Sequence, residues 1–154
     1  ASKIEAQRLG GDATLIGRCN GNLGLIALMR GDFATAKSCF DESLAMQKGA
    51  GNKNGIAETL WLQGRLALRQ ADYAEAIACF RESLGLYRLY ANSLWVTRGL
   101  VYLAITLVAS GQIDHAAQIV TAREMEGREG PSIKLQLGAI VAISEYQEAL
   151  GELR

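Results

Sequence analysis

Proline is almost missing from this sequence. Pro131 is the only one in 154 residues, so nothing ahead of it forces a helix to break. An excess of either charge is missing too. Sixteen Lys and Arg face sixteen Asp and Glu, which argues against the basic surplus by which nucleic-acid-binding modules displace counterions. No apolar run approaches the length of a bilayer span, so no membrane helix is expected. No leader peptide is visible, and the chain does not open on Met. Patterns that carry chemistry are equally scarce. His115 is the single histidine, and without Cys or carboxylate partners at ligand spacing it makes no metal site. There is no P-loop, no nucleophile elbow and no His-Glu-x-x-His. Gly10-Gly11 and Gly49-Ala50-Gly51 do not follow a strand, so they read as turns rather than a phosphate cradle. The expectation is a protein with no catalytic residues, no cofactor and no metal.

Cysteine is sparse as well, and its placement follows a period. Cys39 and Cys79 are forty residues apart at equivalent positions. Neighbouring helices lie about 8–10 Å apart, whereas a disulfide needs Cα atoms within about 7 Å. Cys39 and Cys79 therefore read as small buried hydrophobes, and with Cys19 they suit a reducing, cytoplasmic location.

What the sequence does have is an apolar fraction of 49%, enough for a sizeable core, and a strong internal repeat. Shifted by forty residues, Gly24 meets Gly64, Ala27-Leu28 meets Ala67-Leu68 and Asp32 meets Asp72. Ala34 and Ala36 meet Ala74 and Ala76, Cys39-Phe40 meets Cys79-Phe80, and Glu42-Ser43-Leu44 meets Glu82-Ser83-Leu84. With Asn52 on Asn92 this makes twelve identities in one period, where composition alone would give about three. A fixed period of this size signals a stacked repeat architecture.

The columns have physical meanings. Asp12, Asn52, Asn92 and Ser132 are residues that cap helix N-termini, so they mark four helix starts. Gly31, Ala71, Gly111 and Gly151 suit the left-handed turn that closes a helix. Asp72 and Glu75 read as a capping box for a second helix, and Asp32 caps the same way. In the third unit Gln112 replaces the Asp, leaving Asp114 as the candidate cap. Each unit is thus a helix A, a tight turn and a helix B. Gly24 and Gly64 allow close approach, and Phe40 and Phe80 fill the space between units.

These residues resemble the tetratricopeptide repeat. Leu23-Gly24, Ala27, Gly31, Phe33, Ala36 and Phe40 carry the pattern, and Gly64, Ala67, Ala71, Tyr73, Ala76 and Phe80 repeat it. The third unit is weaker, with Val120 and Arg123 in place of the aromatic and the small residue. The resemblance implies an all-α, right-handed α-solenoid of antiparallel helix pairs. The forty-residue period departs from the usual thirty-four of the family. In this it is similar to the repeat arrays of large bacterial regulators, which join a signalling ATPase to such an array and often to a DNA-binding helix–turn–helix. The expected division is a half helix at 1–9, repeats at about 12–51, 52–91 and 92–131, and a final helix at about 132–150, as a fragment of a longer chain. Half-units at the ends would expose apolar faces, which gives a route to a homodimer.

The resemblance also implies where binding would occur, since A helices line the concave groove of such arrays. On the second A helix, Glu58, Trp61, Arg65 and Arg69 share one face. Equivalent columns hold Arg18 and Leu25 before it, and Arg98 and Tyr102 after it. One reading is a groove for a protein or peptide partner, including other domains of the parent chain, with Trp61 and Tyr102 as anchors and the arginines as anion contacts. The other reading is intramolecular: Arg18, Glu58 and Arg98 neutralise one another, and Arg65 stacks on Trp61. Gly21 and Leu25 occupy the positions of the Lys–Asn pair with which some members of the family clamp a terminal carboxylate, so that clamp is not expected. The expected function is a non-catalytic scaffold in signalling or transcription regulation, with neither nucleic acid nor membrane as a direct partner. The alternative is a domain that senses a small-molecule inducer.

Overall fold

The computed structural model describes residues 3–89, 93–112, 114–116 and 118. Among the described residues five helices follow one another, α1 (Lys3–Met29), α2 (Phe33–Gly49), α3 (Lys53–Arg69), α4 (Tyr73–Leu89) and α5 (Ser93–Ala109), and residues 114–116 and 118, in the third B helix, are helical as well. No strand occurs among the described residues. The forty-residue period is carried into the structure, because α2 and α4, and α3 and α5, start and end forty residues apart.

Four turns of one design end α1, α2, α3 and α5. Gly31 (φ 78°), Gly51 (φ 65°), Ala71 (φ 58°) and Gly111 (φ 80°) all lie in the left-handed region. At the first turn, the Gly31 N–H donates to the Leu28 carbonyl and the Asp32 N–H to the Ala27 carbonyl. This paired return to the last helical turn satisfies carbonyls that would otherwise lack a donor. The same two bonds recur at Gly51 and Asn52, at Ala71 and Asp72, and at Gly111 and Gln112.

Helix starts follow the expected caps where they are described. The side chains of Asp32, Asn52 and Asp72 accept from the backbone N–H of Thr35 (3.1 Å), Gly55 (3.2 Å) and Glu75 (3.2 Å). The bonds from Thr35 hold the Asp32 carboxyl below its usual range. Three expectations are corrected. Asp12 does not begin a helix, because Gly11 stays helical within α1 where its counterpart Gly51 turns the chain. Glu75 does not complete a capping box. The Asp72 N–H is already bonded to the Ala67 carbonyl at 2.9 Å, and Glu75 instead accepts from the Cys79 thiol at 3.5 Å. Asp114 is not the cap of the third B helix, since it lies inside that helix. Gln112 takes the capping position, with its carbonyl accepting from Ala116 N–H and its side chain facing His115 Nδ1 at 3.3 Å. The caps at Asn92 and Ser132, the closing residue Gly151 and the final helix at 132–150 lie outside the described residues.

Packing is antiparallel and between neighbours. Each helix lies against the next, α1 also touches α3, and α3 touches α5, while α2 and α4 do not meet. The first, third and fifth helices therefore crowd together on one side and the B helices splay on the other, which curves the array into an all-α solenoid with the A helices inside. Within a unit the close approach is made by glycine and phenylalanine. A Cβ on Gly24 would lie 2.5 Å from the fully buried Phe40 ring, and one on Gly64 would lie 2.7 Å from Phe80. The phenylalanines thus seat inside their own units, and Phe80 also reaches Tyr102 of the next (5.6 Å).

Buried polar groups tie helices together within and between units. Ser43 and Thr59 share a hydrogen bond of 3.0 Å between α2 and α3, and Ser83 donates to the Ala57 carbonyl at 2.7 Å between α4 and α3. Gln47, almost fully buried on α2, donates to the Thr14 carbonyl of α1 and accepts from Asn52 at 2.8 Å. Burying an amide costs little when its bonds are made, as they are here.

Candidate functional site

The inner face of the array is built by α1, α3 and α5, and it carries two distinct features. The first is a shallow cleft between α1 and α3, lined by Arg18, Asn22, Gln47, Glu58, Thr59 and Leu62. It leaves room for about one water molecule. The second is an aromatic cluster at the α3–α5 junction.

Trp61 is the centre of that cluster. Trp95 meets it edge-on at 5.7 Å and Tyr102 at 5.2 Å. Tyr87, from the end of α4, stacks on Trp95 at 5.3 Å. Two guanidiniums lie on these rings. Arg65 Cζ is 4.8 Å from the Trp61 centroid and 5.6 Å from Tyr102. Arg98 Cζ is 5.2 Å from Trp95 and 5.9 Å from Trp61. Such contacts are worth about 0.5–1 kcal/mol each when exposed, and more when dry.

Of the expected groove residues, the structure brings Trp61, Arg65, Arg98 and Tyr102 together. Arg18 and Glu58 line the α1–α3 cleft instead. Leu25 packs against the core. Arg69 is exposed and lies over the Phe33 ring at 5.9 Å, away from the cluster. Trp61 is 7% exposed and forms a floor rather than a protruding anchor, while Tyr102 is half-buried. The stacking of Arg65 on Trp61 occurs as the intramolecular reading expected. Arg18, Glu58 and Arg98 form no salt bridge: among the described residues the only one is Lys37–Asp41, on α2.

Tyr87 and Trp95 were not singled out from sequence. The signal was their departure from the repeat. Tyr87 stands where Gln47 stands one unit earlier, and Trp95 where Gly55 does. At the first junction Gln47 makes its bonds. At the second, the Tyr87 hydroxyl and Trp61 Nε1 are buried and have no hydrogen-bond partner. A buried polar group left unpaired costs about 1–3 kcal/mol. Burial, reinforced by the Glu58 carboxylate and opposed by Arg98, pushes the Tyr87 hydroxyl well above its usual range, so it stays protonated.

Burial and the neighbouring Glu75 push the Cys79 thiol up to about 12, so at neutral pH it is a protonated, unreactive thiol. Cys19, Cys39 and Cys79 are all free, with Cys79 buried, Cys39 half-buried and Cys19 exposed. His115 is exposed on the first turn of its helix. Among the described residues no group of three His, Cys, Asp or Glu could hold a metal ion, and no helix is long and apolar enough to cross a membrane.

Comparison with known proteins agrees with this geometry. No curated protein matches the chain. The family model of the tetratricopeptide repeat matches residues 12–89, half of the chain, and spans α2, α3, α4 and most of α1. Repeats of that kind are non-catalytic scaffolds that generally mediate protein–protein interaction. With paired antiparallel helices, left-handed closing turns and glycine-seated phenylalanines, the chain belongs to the tetratricopeptide repeat family.

Proposed function

We propose that this chain docks a protein or peptide segment on the inner face formed by α1, α3 and α5, as a regulatory repeat region of a larger signalling or transcriptional regulator. The observation that carries the docking reading is the α3–α5 junction. There Arg65 and Arg98 lie on an aromatic floor with no carboxylate of the described residues in salt-bridge range. A guanidinium stacked by its flat face keeps its in-plane N–H fork free for a partner. Arg18 on α1 and Arg69 at the end of α3 add basic groups on the inner helices. The α1–α3 cleft is too small for a metabolite, which favours an open docking surface over an enclosed ligand pocket. The regulator context rests on the forty-residue period and its resemblance to the arrays of such proteins.

The test is a peptide-display selection on the intact chain, followed by affinity measurement on Arg65→Glu/Arg69→Glu. Reversing two charges on the inner face should weaken the selected peptides by at least about tenfold, equivalent to roughly 1.4 kcal/mol. The fold should persist with a modest fall in thermal stability, because the changes remove only the ring contacts of Arg65 and Arg69, worth about 0.5–1 kcal/mol each. Arg81→Glu, on the exposed side of α4, serves as the control and should bind as the parent does. Peptides that bind the double variant undiminished would place the docking surface elsewhere and overturn the reading.

A further inference from the structure

We propose that the α3–α5 junction is a carboxylate subsite, in which the Trp61 indole N–H and the Arg65 and Arg98 guanidiniums hold an acidic side chain of the docked peptide. The inference rests on the reading of the inner face as a docking surface, and it names the chemistry of the partner.

Two observations of different kinds point to it. The first is the pair of orphaned polar atoms. Trp61 is 7% exposed and Tyr87 is 2% exposed, and neither Trp61 Nε1 nor the Tyr87 hydroxyl has a partner. Buried polar side-chain atoms are nearly always bonded, so two exceptions on residues that both contact Trp95 mark a place built for something else. The repeat itself does not require them. The columns of Trp61, Tyr87 and Trp95 hold Gly21, Gln47 and Gly55 one unit earlier, and there the buried amide is satisfied. The second observation is charge. Arg65 and Arg98 flank the same indole, and no carboxylate among the described residues pairs with either.

The chemistry of the missing group follows. Indole N–H can only donate, and guanidinium can only donate, so the ligand must accept. Two cations against the single carboxylate of Glu58 call for a negative acceptor. Glu58 is close enough to act on Tyr87 and offsets one of the two cations, which leaves a single positive charge for a single carboxylate to balance. A carboxylate has two oxygens and about four lone-pair sites, enough for an indole N–H and two arginine forks together. Arg98 is exposed and sits at the longer distance from Trp61, so of the two guanidiniums it is the freer to turn toward a carboxylate. Arg18 on α1 and Arg69 at the end of α3 add further cations on the inner helices. A run of acidic side chains meets more of these cations than a single chain terminus does.

The indole N–H proton of Trp61 reports the contact directly. The intact chain is labelled with 15N, and Trp95→Phe assigns the Trp61 signal. It is titrated with an end-blocked oligoglutamate peptide, with its glutamine counterpart, and with the glutamine peptide bearing a free C-terminal carboxylate. The expected result is a downfield movement of the Trp61 signal with the glutamate peptide alone. In Arg98→Gln the affinity for that peptide should fall by at least about tenfold. No movement at saturating glutamate peptide overturns the subsite, as does equal binding of the glutamate and glutamine peptides. Movement only with the free terminus overturns the acidic-segment assignment in favour of a chain end. In each of these cases the docking reading survives if display-selected peptides still lose affinity on Arg65→Glu/Arg69→Glu, and it falls if they do not.

Discussion

At the residue scale, Ala71 is the position under most conformational strain. It does at φ 58° what Gly31, Gly51 and Gly111 do without a Cβ. A left-handed backbone costs a residue bearing a Cβ about 1–2 kcal/mol. Glycine returns part of that through the greater freedom of its unfolded chain, about 0.5–1 kcal/mol. The strain is the larger of the two, so Ala71→Gly should stabilise the protein by about 0.5–1 kcal/mol in urea unfolding. A lower midpoint at unchanged slope would mean that the turn is not strained. The column of turn residues was legible in the sequence because a sharp reversal admits few residue types. The fates of Glu75 and Asp114 were not legible, because each depended on which backbone N–H was already taken.

At the element scale, the seating of Phe80 on Gly64 sets the distance between α3 and α4. Replacing Gly64 by Ala gains about 1 kcal/mol of helix propensity. It also places a Cβ 2.7–2.9 Å from three atoms of the Phe80 ring, and overpacking of this kind costs about 1–3 kcal/mol. The ring is fully buried and cannot swing away, so the second effect wins. Gly64→Ala should lose up to about 2 kcal/mol, and adding Phe80→Leu should recover part of the loss. A neutral Gly64→Ala would show that the helices separate freely. Sequence marked Gly24 and Gly64 as places of close approach and the phenylalanines as fillers. Only the packing shows that each phenylalanine sits on the glycine of its own unit. Helix α1 is the other lesson at this scale. Asp12 looked like a cap by column, but a cap works only where the helix ladder has already stopped, and α1 runs through it.

At the scale of the molecule, contacts between neighbouring helices make stability local. Repeat arrays behave as a sum of unit and interface contributions. Removing the Phe40 ring should cost about 3–5 kcal/mol, and the loss should fall first on α1 and α2. Hydrogen exchange on Phe40→Ala should therefore show lost protection across 3–49 before 73–109, and Phe80→Ala should show the reverse emphasis over α3 to α5. Equal loss along the whole chain in both variants would mean that the array unfolds as one cooperative block.

By itself, the sequence determined the helical units, their forty-residue spacing, the turn residues and most described caps. These are local or periodic properties, set by which residues tolerate a left-handed φ, accept a first-turn N–H or recur on one helix face. It also placed Trp61, Arg65, Arg98 and Tyr102 on inner helices. The tertiary structure alone decided that those four meet while Arg18, Leu25 and Arg69 go elsewhere, and that Tyr87 and Trp95 join them. It also decided that two buried polar atoms there remain unpaired. A column says which face a residue occupies. Which side chains touch across a junction depends on the volumes meeting there, and at α3–α5 those volumes break the repeat.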